Sequence, residues 1–138
     1  MKKIIFNCVV LAFFVSSCTK EAEFTKQLDE NTPITNSVLL KSGSFAPTSG
    51  ITVNGSAEVR MNANEHYVAL VNFNISSGPD LKVYLSKSNV PNGFVNLGAL
   101  VNNKNIYAIP NGVVLSEYTH VLIHCQQYNH LFAGAQLN

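Results

Sequence analysis

Short runs in which apolar residues alternate with others, broken by Asn, Gly, Ser and Pro, constrain the fold of this chain most strongly. In the clearest run, residues 66–73, every second residue from Tyr67 to Phe73 is apolar, as in a strand with one buried face. Val68 and Leu70 are apolar as well, so this strand is predicted to be buried on both faces. No segment sustains the i, i+3, i+4, i+7 spacing of an amphipathic helix for more than two turns. The pattern therefore predicts an all-β domain.

Seven further runs have the length and composition of strands, and turn-forming residues separate them. Together with the first run they predict an antiparallel β-sandwich of about eight short strands, jelly-roll or immunoglobulin-like in topology. Residues 61–66 are predicted to form a hairpin connection between two of the strands. The seven further runs are residues 38–45, 57–61, 81–85, 94–97, 106–109, 121–125 and 132–137.

The composition limits both the size and the function of the protein. A chain of 138 residues is long enough for one ordinary domain and too short for two. Charged residues make up only 12% of it and the formal net charge is +1, which argues against an electrostatic nucleic-acid binder. Apolar residues make up 46%, which is too many for a mostly disordered chain.

The first eighteen residues have the features of a bacterial lipoprotein signal. Lys2-Lys3 precedes an apolar segment, residues 4–15, that is too short to cross the ~30 Å hydrocarbon core as a helix. Residues 15–18, Val-Ser-Ser-Cys, resemble the lipoprotein box, in which the Cys is acylated and the peptide is cut before it. The sequence therefore predicts a signal peptide over residues 1–17 and lipidation, with palmitate among the acyl chains, at Cys18. The alternatives are an ordinary signal peptide with an incidental Cys and a retained membrane helix.

Residues 18–37 are predicted to be the lipidated Cys and a flexible polar tether, and residues 38–138 the folded domain. Thr19 resembles the residue found at this position in outer-membrane lipoproteins, because Asp is usual where the lipoprotein stays in the inner membrane. Residues 20–23 loosely resemble a surface-export tag, and a charged start of the tether is the alternative. The predicted location is the bacterial cell envelope, with the anchor in the outer membrane and the domain on its periplasmic or surface face.

Cys125 is predicted to be the single free thiol of the mature chain. Cys8 would leave with the signal peptide and Cys18 would become a thioether, so no internal disulfide can form. Period-two alternation places Cys125 on the same inward face as Val121 and Ile123. The two interpretations are a buried structural Cys, which behaves as a small hydrophobe, and a reactive thiol.

Three histidines lie close to Cys125 in the sequence, and this group is the one constellation of the chain that suggests metal binding. Strand geometry weakens the suggestion. His120 and His124 would share a face but lie about 13 Å apart, and His124 points to the opposite face from Cys125. His130 could approach only through tertiary folding. Surface or polar-network roles are therefore predicted for the histidines, which stay weak metal candidates.

Residues 78–80, Gly-Pro-Asp, precede the run 81–85 and have the composition of a turn. Asp80 could instead bind a cation or a partner. The sequence contains no glycine-rich phosphate loop, no paired-Cys zinc spacing and no Gly-x-Ser-x-Gly elbow, and its domain has few carboxylates. No catalytic residue and no cofactor are predicted, and a hydrolytic enzyme has almost no support.

A series of weak motifs in a fixed order resembles the DM-thirteen domain family, also called the electron-transfer DM domain. The resemblance covers about residues 39–137. The motifs that carry it are residues 40–45, 54–59, 78–85, 97–100, 107–110, 121–128 and 132–137.

The resemblance implies an all-β extracytoplasmic domain with a signature Cys near its end, and Cys125 matches that Cys. In animals the family accompanies DOMON domains, and a redox role has been proposed for the Cys. Two positions differ from the family pattern: His124 stands where an aromatic residue is frequent, and Ile51-Thr52 stand where a His is frequent.

Two functions of different classes follow. The first is a lipid-anchored, non-enzymatic module that binds an unidentified protein or small molecule at the cell envelope. The alternative is a redox or electron-transfer module that acts through Cys125. Because a single thiol cannot form an intramolecular disulfide, that chemistry needs a sulfenic acid, a mixed disulfide with a partner, or a metal or haem ligand.

Overall fold

A computed structural model describes residues 36–138. This part of the chain is nearly all antiparallel strand, and the predicted fold class, with eight strands, is confirmed. The predicted signal peptide, Cys18 and the tether up to residue 35 lie outside the described residues. The strands are β1 (Val38–Pro47), β2 (Val53–Asn62), β3 (Glu65–Ile75), β4 (Leu81–Ser86), β5 (Phe94–Ala99), β6 (Ile106–Ala108), β7 (His120–Cys125) and β8 (His130–Gln136).

The eight strands form one sheet in the order β5-β4-β7-β8-β1-β2-β3-β6. β1 belongs to both halves of this sheet, because residues 38–44 pair with β2 whereas residues 45–47 pair with β8. The sheet folds over at β1 into two layers, and its edge strands β5 and β6 come close to each other, so that it is nearly closed. Every strand pair is antiparallel.

The core lies between the two layers and is built from alternate residues of their strands. Val59 and Val68 from one layer and Val83 and Ile123 from the other are each at most 1% exposed. Burying an aliphatic side chain of this size stabilises the fold by about 1.5–3 kcal/mol. The core also contains Phe45, Ala57, Leu70, Leu81, Leu85, Tyr107, Val121, Cys125, Phe132, Ala133 and Ala135.

The prediction that Phe73 shares a face with Tyr67 is wrong, because β3 contains a β-bulge. The pairing of β2 with β3 shifts between Asn54 and Ser56, where Gly55 (φ +97°) lies across from Asn72 (φ +49°). The extra residue reverses the alternation, so Phe73 does not share a face with Tyr67. Phe73 packs against the core, with its ring 5.0 Å from that of Phe45.

The first half of β3 is buried on both faces, as predicted. Val68 and Leu70 lie in the core, while Tyr67 and Ala69, on the opposite face, are 7% and 1% exposed. The predicted hairpin between β2 and β3 is confirmed as well, with a two-residue turn at Ala63-Asn64, where both residues have positive φ.

The connection between β6 and β7 contains the one helical segment found between β1 and β8, a single 3₁₀ turn at Leu115–Glu117. The Lys41 ammonium group donates hydrogen bonds to the carbonyl oxygens of Leu115 (3.0 Å) and Tyr118 (3.3 Å), which fix this connection to β1. No helix within residues 36–138 has the length and apolar character needed to cross a membrane.

Candidate functional site

Three candidate site residues from the sequence lie at one end of the sandwich: Asp80, Cys125 and His130. Here β7 ends at Cys125, β4 begins at Leu81 and β8 begins at His130. Leu81 lies opposite Cys125 on one side, and His130 lies opposite it on the other. Asp80 immediately precedes Leu81, so the predicted turn joins the same group.

Cys125 is buried in the core. Its exposed fraction is 1%, and it lies on the inward face with Val121 and Ile123, as the alternation predicts. It is a free cysteine. Phe132 and Leu81, each 8% exposed, belong to the same cluster. The thiol is therefore surrounded by hydrocarbon at a point where solvent does not reach it.

The turn at residues 78–80 closes this end of the core. Gly78 packs so tightly that a Cβ there would lie 2.9 Å from Leu81 Cδ2 and 2.9 Å from Phe132 Cζ. The carbonyl oxygen of Asp80 accepts a hydrogen bond from the amide of Gln126 (3.0 Å), the residue that follows Cys125. The turn is thereby tied to the strand that carries the thiol.

The Asp80 carboxylate is engaged in an ion pair. Its Oδ1 lies 2.9 Å from Lys82 Nζ, and both side chains are partly exposed. A cation at Asp80 would have to compete with this ammonium group, which makes the turn interpretation the simpler one. Exposed ion pairs of this kind contribute little to stability, typically below about 1 kcal/mol.

His130 is the histidine that folding brings to Cys125. Residues directly opposite each other in an antiparallel pair have Cβ atoms about 4.5–5.5 Å apart. The His130 ring is exposed and meets the ring of Phe132 edge to face, with 5.4 Å between the centroids. The sequence could not predict this pairing, because it depends on the register of the β7–β8 hairpin.

His120 lies at the opposite end of β7 and does not join the site. The Thr119 hydroxyl donates to the carbonyl oxygen of Lys87 (3.0 Å), so it accepts a hydrogen bond from His120 Nδ1 (2.8 Å). Burial lowers the pKa of His120, which favours the neutral ring. Within residues 36–138, no three His, Cys, Asp or Glu side chains are grouped so that they could hold a metal ion.

His124 is the most deeply buried of the histidines, on the outer face of the same half-sheet. It is 4% exposed, and its Nε2 lies 3.1 Å from Asn129 Oδ1, so the ring nitrogen donates this hydrogen bond. Nδ1 is buried with no hydrogen-bond partner. The ring packs on Tyr84, with the centroids 5.4 Å apart, and Tyr84 stacks on Phe94 at 4.1 Å. Burial raises the pKa of the Tyr84 hydroxyl, with a smaller opposing effect from Lys82.

A small cavity at the same end of the sandwich was not predicted. Its volume is about 160 Å³, and it lies between the end of β3 and the loop of residues 100–105. The amide of Leu100 donates to the carbonyl oxygen of Leu81 (2.8 Å), which links the loop to the residue opposite Cys125. The sequence feature that could have indicated this cavity is the concentration of Asn residues in the loop, which were interpreted as turn-forming residues.

We predict that His124 and Asn129 are energetically coupled. Asn129→Gly removes the acceptor of the Nε2–H group, while glycine readily adopts the positive φ of this position (+49°). An unpaired buried donor costs about 1–3 kcal/mol, so this variant should unfold at lower urea concentration. His124→Phe removes the donor and the unpartnered Nδ1 together, and its stability should equal or exceed that of the unchanged chain.

The double variant His124→Phe/Asn129→Gly provides the control. In the Phe background, Asn129→Gly should cost less than about 1 kcal/mol, because no donor is left unpaired. Urea unfolding followed by circular dichroism measures all four chains. The same loss of stability in both backgrounds would show that the Asn129 side chain acts independently of His124.

The family model described as Electron transfer DM13 matches residues 45–137, which contain the closing turn, Cys125 and His130. Among curated proteins and among solved structures, nothing matches the chain significantly. Because the family model covers more than half of the chain, the chain belongs to the Electron transfer DM13 family.

Proposed function

We propose that this chain is a lipid-anchored, extracytoplasmic binding module whose DM13 domain recognises a partner at the cell envelope without catalysing a reaction. The observation that carries the proposal is the burial of Cys125, which is 1% exposed within the core cluster. The family's characteristic Cys then serves here as a packing residue. Interaction through the surface of the domain is a function that does not require this thiol to be accessible.

The burial of Cys125 matters because a thiol reacts only where a reaction partner can reach its sulfur. A thiolate must reach the sulfur or metal with which it reacts, so catalytic and redox-sensing cysteines occupy partly exposed sites. Cys125 belongs to the same core cluster as Phe132 and Leu81, and a Cβ at Gly78 would meet the side chains of both. In this position the sulfur behaves as a small hydrophobe that fills space.

The support for the anchor comes from the sequence. The basic start, the short apolar segment and Val-Ser-Ser-Cys at residues 15–18 occur in the order that lipoprotein signals require. More than one acyl chain is needed for stable anchoring, because a single chain binds membranes only marginally. An anchor at Cys18 and a domain that begins at Val38 leave about twenty residues of tether between them.

A redox module that acts through Cys125 is the second candidate. Two observations favour it: the family description names electron transfer, and His130 lies directly opposite Cys125 in the β7–β8 pairing. In this mechanism, the tight packing of Gly78 against Phe132 must loosen before a partner's sulfur, an oxidant or a metal can reach the thiol. The two candidates therefore differ in the accessibility of one atom.

We predict that Cys125 is strongly protected from alkylation in the folded protein. The chain is extracted from membranes, treated with iodoacetamide at a series of pH values, and compared with the same chain in urea. Modification of Cys125, assigned by peptide mass spectrometry, should be at least about a hundredfold slower in the folded chain because the sulfur is covered. Equal rates in the two states would refute the binding-module proposal and favour the redox candidate.

Gly78→Ala tests whether the closing turn is what protects the thiol. A methyl group at this position forces the Phe132 and Leu81 side chains to move, so alkylation of Cys125 should become several-fold faster. Gly112→Ala is the matched control, because no atom lies within 4 Å of a Cβ there. It adds left-handed strain (φ +90°) without displacing a neighbouring side chain and should leave the protection unchanged.

Lipidation at Cys18 predicts a simple labelling result. Cys18→Ser should abolish incorporation of radioactive palmitate and transfer the chain from the membrane fraction to the soluble fraction, because the acylated sulfur is lost. Cys8→Ser, within the predicted signal peptide, is the control and should keep both properties. Continued palmitate labelling of the Cys18→Ser chain would rule out this anchor.

A further inference from the structure

The cavity between β3 and the loop of residues 100–105 has the form and chemistry of a ligand site. It has a volume of about 160 Å³. An apolar cavity of about 150 Å³ in another protein accommodates benzene, so a space of this size holds one six-membered ring. Drug-sized ligands occupy pockets of about 300–1,000 Å³, which are considerably larger. The size therefore restricts the ligand to a single small ring or to one unit of a chain.

The loop that frames the cavity is held at both ends. At one end, the amide of Leu100 donates to the carbonyl oxygen of Leu81 (2.8 Å), at the start of β4. At the other end, the carbonyl oxygen of Asn105 accepts a hydrogen bond from Leu70 of β3 (2.8 Å). A bond from the amide of Lys104 to Val101 (3.2 Å) closes the turn between them. The cavity is thus preformed, which reduces the entropic cost of binding.

Four of the nine described residues that line the cavity are asparagines, whose side chains carry amides. Each amide presents both donors and acceptors, and a sugar hydroxyl needs both. No acidic residue is among the described residues that line it, so the site does not suit a metal cation. In the part of the chain that the structure describes, no side-chain hydrogen bond occupies these amides. The four are those of Asn74, Asn102, Asn103 and Asn105.

Apolar side chains complete the lining and match the other surface of a sugar ring. Phe73, Ile75 and Leu100 lie against the cavity. The Phe73 ring is fixed by its edge contact with Phe45, at 5.0 Å between centroids. A pyranose ring has faces of C–H groups and a rim of hydroxyls, so apolar groups and amides together provide complementary surfaces.

Lys104 gives the cavity its charge. It is the one charged residue among the described residues that line the cavity. Its ammonium group lies 4.7 Å from the centroid of the Tyr107 ring, and the Tyr107 hydroxyl donates to the Lys104 carbonyl oxygen (3.3 Å). Among the described residues, no carboxylate forms an ion pair with this ammonium group, so its charge is not neutralised. A carboxylate on the ligand would be attracted to this position.

We propose that this cavity binds a single saccharide ring and prefers an acidic sugar, of the uronic acid class, to its neutral counterpart. The amides of Asn102 and Asn105 bond to the ring hydroxyls, and Lys104 provides the preference for the carboxylate. The proposal goes beyond the function proposed above and does not depend on lipidation at Cys18 or on the state of Cys125, so either proposal can fail without the other.

Saturation-transfer NMR with the detergent-extracted full chain tests the proposal. The probes are D-galacturonate and D-galactose at concentrations up to about 50 mM, since single-ring ligands with few contacts bind in the millimolar range. Both sugars should receive saturation, and galacturonate should bind at least about threefold more tightly, with a difference that decreases as salt is added. No saturation of either sugar would overturn the proposal.

Two variants separate the roles of the residues. Asn102→Ala/Asn105→Ala should abolish saturation of both sugars, while Asn111→Ala, on another loop, should leave it unchanged. Asn103 is kept, because its positive φ (+66°) would add strain to an Ala variant. Lys104→Gln should keep galactose binding and remove the preference for galacturonate. Thermal unfolding verifies that each variant is folded.

Three results would contradict the proposal. Unchanged saturation in the Asn102→Ala/Asn105→Ala chain would place sugar binding elsewhere on the surface. An unchanged preference in the Lys104→Gln chain would exclude recognition of the carboxylate by Lys104. Competition by sodium sulfate, combined with no signal from galactose, would identify a general anion site in place of a saccharide site.

Discussion

The register in which β4, β7 and β8 pair determines which side chains face the core at the end of the sandwich that contains Cys125. Leu81 and Cys125 lie opposite each other in the β4–β7 pairing and both belong to the core, whereas His130, opposite Cys125 in the β7–β8 pairing, is exposed. A shift of one residue in either pairing would turn the apolar face of a strand towards solvent. The two layers then close on each other through β1, which pairs with β2 along one part and with β8 along the other.

This register gives the motifs of the family a common structural meaning. The Gly-Pro-Asp turn lies far from Cys125 and Phe132 in the sequence, yet all three belong to the same end of the core. Gly78 contacts the Phe132 and Leu81 side chains, and the Asp80 carbonyl is bonded to the residue after Cys125. Cys125 is 1% exposed in this part of the core, so a larger side chain there would force its neighbours to move. The same end carries the asparagine-lined cavity.

The sequence was sufficient for the features that depend on local alternation. It predicted eight strands and the inward position of Cys125 beside Val121 and Ile123, because the period of a strand is set by backbone geometry. It was wrong about Phe73, since a bulge at Asn72 reverses the alternation, and such a bulge becomes visible only when Gly55 is aligned across the strand pair. The pairing of Cys125 with His130 depends on strand register, and the cavity depends on the hydrogen bonds that hold its loop. Neither can be predicted from the local pattern of a single sequence.

The role of Cys125 as a packing residue can be measured through the free energies of unfolding of three chains: Cys125→Ser, Cys125→Ala and the unchanged chain. If the sulfur is buried in hydrocarbon, the Ser variant places a hydroxyl there without a designed partner and should lose about 1–3 kcal/mol, whereas the Ala variant should lose less. Equal stability of the three chains would contradict the account, because it would show that the side chain at this position is in contact with solvent.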